Sequence, residues 1–197
     1  MGTKLFLKAE RCQGPKCGVV RNPVKPGYQA TKKRRGRGLT EYGQMLLEKQ
    51  KIQWSYFMKH GYLKNLFKKA KKSRGITPLK LYNSLERRLD SVIYRAGFAL
   101  GRAQARQFAS HGHFLLNGKK ITIPSTELRI GDVVTLNTAS QTLAIFKDLK
   151  QQLKKYAPPE WLELDKENFS VKVVKEPESD PAKMPFNFTA VVEYLSR

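Results

Sequence analysis

Cations, not nucleophiles, carry the recurring spacings in this chain. Arg102 and Arg106 stand four residues apart, so a helix over this stretch places both guanidiniums on one face. Lys119 and Lys120 follow the dipeptide Asn117-Gly118 directly, and Lys32-Lys33-Arg34-Arg35-Gly36-Arg37-Gly38 is a dense basic run without apolar periodicity. Cations from a helix and a hairpin can converge on one phosphate backbone, while the basic run orders on meeting an anion. For any single lysine a solvated surface position is the ordinary reading, and so is a targeting signal for an isolated basic run. Here the bias is shared by the whole chain, and the run leads into a helix.

Metal and covalent chemistry have thinner support. Cys12 and Cys17, as Cys-x4-Cys, are half of a possible zinc site, but a structural site takes four ligands and the chain has no third cysteine. His60, His111 and His113 are candidates to complete a site, but the last two sit at the Gly112 helix stop and the hairpin entry, far along the chain, so a reduced thiol pair without zinc or any other cofactor is the expectation. No Ser/His/Asp or Cys/His arrangement is legible, nor is a G-x-x-x-x-G-K-[ST] phosphate loop. The chain reads as a binding protein, not an enzyme.

The elements that must position the cations follow from periodicity. Thr77 and Pro78 give an N-cap and a first-turn proline, and Leu81, Leu85, Leu89, Val92 and Ala96 predict one amphipathic helix running to Gly97. A second helix over Arg102–Ser110 sets Ala105, Phe108 and Ala109 opposite Arg102 and Arg106. Asn117-Gly118, between Phe114-Leu115-Leu116 and Ile121-Thr122-Ile123, predicts a hairpin, because a type I′ turn needs positive φ at both central residues. Upstream, Gly14-Pro15, Pro23 and Pro26 argue against a long regular element, so the start reads as an extended arm. An imperfect helical stripe runs from Thr40 to about Lys59, and a cleaner helix from Tyr62 to Arg74 carries Leu63, Leu66, Phe67 and Ala70. Beyond the hairpin, Val133–Leu136 has a strand's composition. A helix capped by Ser140 is expected to carry Leu143, Phe146, Leu149 and Leu153, with Trp161-Leu162 anchoring the next loop. Phe169, Val171 and Val173 alternate as in a half-buried strand, and Asn187 caps a last helix, for which a strand is the rival reading.

Composition bounds what these elements can serve. Lysine plus arginine number 38 against 16 acidic residues, a net charge of +22 over 197 residues with 40% hydrophobic content. That is a folded chain whose field favours a polyanion. The charge is +17 over residues 1–75, +8 over 76–155 and −3 over 156–197, so the N-terminal half dominates the electrostatics. No apolar run approaches the ~18 residues of a membrane span, and none resembles a signal peptide; a cytoplasmic address without a membrane follows.

The motifs KLFLKAERCQGPKC, LTEYGQMLLEKQK, LERRLDSVIYRAGFALGRAQARQFASHGHFLLNGKKITIPS, IGDVV and VVEYLSR occur in the order found in small-subunit ribosomal protein four of the bacterial type. The resemblance runs essentially end to end. It implies an α+β protein with a basic arm (1–38), a mostly helical domain (39–85 plus 184–197) and a domain of helices on a small antiparallel sheet (86–183), with the helix-hairpin RNA-binding motif at about 86–150. It also implies binding to the five-way junction in the 5′ domain of small-subunit rRNA early in assembly, contact with ribosomal protein five, and a place beside the channel through which mRNA enters. The family's functional positions fall on Lys33, Arg34, Arg35, Arg37, Lys49, Lys51, Arg87, Arg88, Arg102, Arg106 and the hairpin His111, His113, Asn117, Lys119 and Lys120. Many bacterial members complete a zinc site with a Cys-x2-Cys pair upstream of KLFLK. This chain begins beyond that point, so the zinc is not carried over: either the partners are absent or the true N-terminus lies upstream.

Two rival classes fit less well. Arg88-Leu89-Asp90 is similar to the Arg-Leu-Asp of pseudouridine synthases bearing the same small domain, but those continue with a Thr-Ser-Gly-Leu type segment, whereas Ser91-Val92-Ile93-Tyr94 continues a helix. Asp90 is expected to pair with Arg87 or a neighbouring cation. A stress factor acting on ribosomes, or a free RNA chaperone, would need neither the KLFLK arm nor the EYLSR ending.

Overall fold

Thr40 starts the first long helix because its Oγ1 accepts from Gly43 N–H at 3.2 Å, satisfying one of the otherwise orphaned first-turn donors. The computed structural model describes residues 4–7, 9–21, 39–177 and 186–197, the side chains of 10 and 13 excepted. The basic run Lys32–Arg37 lies outside them. Before it come α1 (Ala9–Gln13) and α2 (Gly18–Arg21), so residues 9–21 are not the extended arm expected. Pro15 prevents one long helix, yet the Cys17 carbonyl accepts from both Val20 and Arg21 N–H and closes a separate short turn.

In chain order there follow α3 (Glu41–Ser55), α4 (His60–Lys72), α5 (Thr77–Glu86), α6 (Leu89–Arg95) and α7 (Arg102–Ser110). Next are β1 (Phe114–Leu116), β2 (Lys119–Ile121), β3 (Val133–Leu136), α8 (Thr138–Gln141), a 3-10 turn at Ala144–Phe146 and α9 (Leu149–Lys154). The chain closes with β4 (Leu162–Asp165), β5 (Ser170–Val173) and α10 (Phe188–Ser196). Two compact units result, Met1–Leu81 with Pro181–Arg197, and Tyr82–Asp180.

In the first unit α4 buries Leu63, Leu66, Phe67 and Ala70, the stripe its spacing predicts, although it starts and stops two residues earlier than expected. The C-terminal segment is a helix, not the rival strand: Asn187 Oδ1 accepts from Ala190 N–H at 3.0 Å, and Phe188 and Val191 are buried. It packs on α3, where Glu48 accepts from Asn187 N–H at 3.1 Å and the Tyr42 and Tyr194 rings meet at 5.5 Å.

The second unit is built on an antiparallel sheet of order β2-β1-β3-β5-β4. Phe114, Val134, Leu136, Val171 and Val173 present one buried face, against which Val92, Ile93, Ala105, Phe108 and Ala109 of α6 and α7 pack. Asn117 (φ 49°) and Gly118 (φ 79°) both take positive φ, so the hairpin turn is of the expected kind. Strand β4 is not among the expected elements, because Leu162-Glu163-Leu164-Asp165 is too short and charged to stand out; Asp165 then shapes the turn into β5 by accepting from Glu167 and Asn168 N–H.

Two long helices expected from periodicity are broken. The stripe from Leu81 to Ala96 is split at Arg87-Arg88, where Arg88 is extended (ψ 145°). The N–H groups of Leu89 and Asp90 donate to the carbonyls of Thr126 and Pro124 at 2.9 and 3.1 Å, and Leu128 N–H donates to Arg87 O at 2.8 Å. The 124–128 strap thus takes the hydrogen bonds that a continuous helix would need. The second break replaces the helix expected from Ser140. Asn137 is the cap, Leu143 (ψ 143°) interrupts the helix and is 41% exposed, while Phe146, Leu149 and Leu153 reach the core.

Candidate nucleic-acid interface

The arginines around α6 and α7 are held by two carboxylates. Glu86, wholly buried, accepts from Arg95 Nε at 2.7 Å and from Arg102 Nη2 at 2.9 Å. Asp90 takes Arg88 in a two-point fork, at 3.0 and 2.6 Å, and Arg106 Nη1 at 3.4 Å. The Arg102 guanidinium also lies 4.7 Å from the Tyr94 ring centroid, a cation–π stack. Four guanidiniums on two carboxylates leave the cluster net positive, but each charge is partly answered within the fold. Arg88 is 1% exposed, so it belongs to the core and offers a polyanion no surface. This corrects its expected RNA-binding role, and a buried charge needs such a partner. Of the two expected alternatives for Asp90, Arg87 or a neighbouring cation, the structure shows the second: it pairs with Arg88 and Arg106, while Arg87 reaches Glu127 and Glu176.

The hairpin presents Lys119 and Lys120 exposed on β2. The Lys120 side chain lies against Gly112 (φ 72°), where a Cβ would collide with it, so glycine both ends α7 and admits the lysine stem. Asn117 ties the turn to β3, since its Oδ1 accepts from Val133 N–H and its amide donates to Asp132, both at 2.9 Å. His111 is exposed, whereas His113 is half-buried between Phe108 and Phe146 with Nδ1 3.0 Å from Ser140 Oγ.

Burial first, then the nearby His111 and Lys120 charges, hold the His113 imidazole below its ordinary pKa. As pH falls, the unfolded chain therefore takes up this proton before the folded one does, so the fold loses stability below about pH 6.5 until the lowered folded pKa is passed. Denaturation midpoints at pH 7.5 and 5.5 should separate less in His113→Asn than in the parent.

Two family models tile this geometry. One, the S4 domain, matches residues 87–134, from the Arg87 break through α6, α7 and the hairpin to β3. The other, the ribosomal protein S4/S9 N-terminal domain, matches residues 1–86. Over 196 residues the chain is 41% identical to the small ribosomal subunit protein uS4 of Natranaerobius thermophilus and to uS4A of Clostridium perfringens, covering all of this chain and 93% of each relative. Heliobacterium modesticaldum uS4 is 40% identical over the same extent. The chain belongs to the uS4 family. These are ribosomal proteins, not enzymes, with an RNA-binding S4 domain, and the α+β fold agrees with that membership.

Of the remaining expected contacts, Lys49 and Lys51 fall in the first unit. Lys32, Lys33, Arg34, Arg35 and Arg37 lie outside the described residues. Lys49 is buried, 9% exposed, with its ammonium 4.7 Å from the Tyr194 ring centroid, so in this chain it joins α3 and α10. Lys51 pairs with Glu48 on the same helix. Lys64, Lys68, Lys71 and Lys72 of α4, which the sequence sets off its apolar stripe, are not among the expected contacts, and all four are exposed.

Cys12 and Cys17 are within hydrogen-bond reach, and the Val19 N–H foremost holds the Cys17 thiol below its ordinary pKa despite its burial. Two thiols are half of a tetrahedral set, and no cluster of three or more His, Cys, Asp or Glu forms among the described residues. No helix among them is long and apolar enough to cross a membrane.

Proposed function

We propose that this chain is a structural constituent of the small ribosomal subunit, working in the cytoplasm without zinc or another cofactor. It binds the five-way junction in the 5′ domain of small-subunit rRNA early in assembly, touches ribosomal protein five, and lies beside the channel through which mRNA enters, where it bears on translational accuracy. The observation that carries this reading is likeness over the whole chain to relatives named as small ribosomal subunit protein uS4, with both family models in the same order. A net charge of +22 supports it physically, because structured RNA is read mainly by phosphate and 2′-OH contacts from cations in fixed relative positions.

In a sucrose gradient of native lysate the protein should comigrate stoichiometrically with the small subunit after a high-salt wash. A substoichiometric, salt-stripped distribution would instead favour a ribosome-associated stress or recycling factor, or an RNA chaperone.

A further inference from the structure

Between Glu48 and Glu86 the chain runs for 37 residues with ten lysines and arginines and no acidic residue. Half of those cations lie on α4, whose apolar stripe is already spent on the core: Leu63, Leu66, Phe67 and Ala70 are each at most 5% exposed. Lys64, Lys68, Lys69, Lys71 and Lys72 are exposed on the rest of its circumference. Lys64, Lys68 and Lys71 follow the i, i+4, i+7 spacing of a single face, with Lys72 beside them, and span about 10 Å at ~1.5 Å rise per residue. Among the described residues none of the five forms an ion pair. Like charges at these spacings weaken a helix, a cost that an external anion removes.

The arginines of α7 contrast with this face, since Arg102 and Arg106 are engaged by Glu86 and Asp90. We propose that the α4 lysine face is a phosphate-backbone contact of structured RNA and contributes more of the electrostatic affinity than Arg102 and Arg106 do. The occupant is a sugar-phosphate backbone for two reasons. Lysine ammoniums without an interleaved aromatic residue suit phosphates and carry no base readout. A membrane surface would need the apolar face that the core already occupies. The inference deepens the rRNA-binding reading and rests on it for the identity of the natural ligand.

The test uses the full chain, with Lys64, Lys68, Lys71 and Lys72 replaced by glutamine, which keeps helix propensity. A second variant, Arg102→Gln with Arg106→Gln, is the comparison, and circular dichroism checks that both fold. Affinities for a transcript of the small-subunit rRNA 5′ domain and for an unrelated RNA duplex are measured from about 50 to 300 mM salt. On both RNAs the four-lysine variant should bind about 10- to 100-fold more weakly at low salt, with the slope of log affinity against log salt reduced by about 3 to 4, and the arginine variant should lose less slope. An unchanged slope in the four-lysine variant on both RNAs, or a larger loss in the arginine variant, overturns the inference. Failure of the parent to prefer the 5′ domain transcript over the duplex counts instead against the proposed rRNA target, while the slope comparison on the duplex still decides the role of α4.

Discussion

Arg88→Ala should destabilise the unit formed by residues 82–180 by about 3–5 kcal/mol, because it removes the two-point partner of a buried carboxylate. Arg88 is 1% and Asp90 5% exposed, and the fork between them is 3.0 and 2.6 Å long. The substitution leaves Asp90 only the longer bond from Arg106, whose side chain is partly exposed. Trp161, buried in the core of this unit, makes its fluorescence the readout, whereas Trp54 is 57% exposed on α3 in the other unit. Replacing both partners with apolar residues, Arg88→Met and Asp90→Leu, should recover most of the loss, since a buried ion pair gives little net stability over good packing. Should the single substitution cost less than about 1 kcal/mol in urea denaturation, the fork is not what holds the α5–α6 break.

The second large effect is expected at Gly97. Its φ of 82° is in the left-handed region, and a Cβ there would stand 2.7 Å from Cδ1 and 2.9 Å from Cγ of Tyr156. Tyr156 is fixed in turn by its hydroxyl, which donates to the Arg95 carbonyl at 3.0 Å. Gly97→Ala should therefore cost about 2–4 kcal/mol, the sum of left-handed backbone strain and overpacking. In a Tyr156→Ala background the steric part disappears, and the same substitution should cost only about 1–2 kcal/mol. Equal costs in both backgrounds, read from urea midpoints, would show that the ring is not the obstacle.

Both effects lie where local and tertiary demands meet, and they mark how far the sequence could be read. The apolar stripe of α4, the Asn117-Gly118 turn, the Asn187 cap and the alternation of Val171 and Val173 were legible because each is a local rule: a period, a turn chemistry or a cap, satisfied within a few residues. The helix break at Arg88 was not legible, since the hydrogen bonds that end α5 and start α6 come from Pro124 and Thr126. The same holds for the helix lost at Leu143 and for β4, which takes its register from β5 through pairs such as Leu162 with Val173.

The candidate interface divides in the same way. Sequence alone determined that the chain is a strongly basic folded protein, concentrated its charge in the first half and identified the motifs shared with ribosomal protein four. Which cations face outward was decided only by tertiary structure, because an arginine's neighbours in space set whether its charge is answered. Glu86 and Asp90 reach across the fold to Arg102 and Arg106, and Tyr194 covers Lys49, while α4 keeps its lysines exposed. Charge count is a property of composition; available charge depends on burial and pairing.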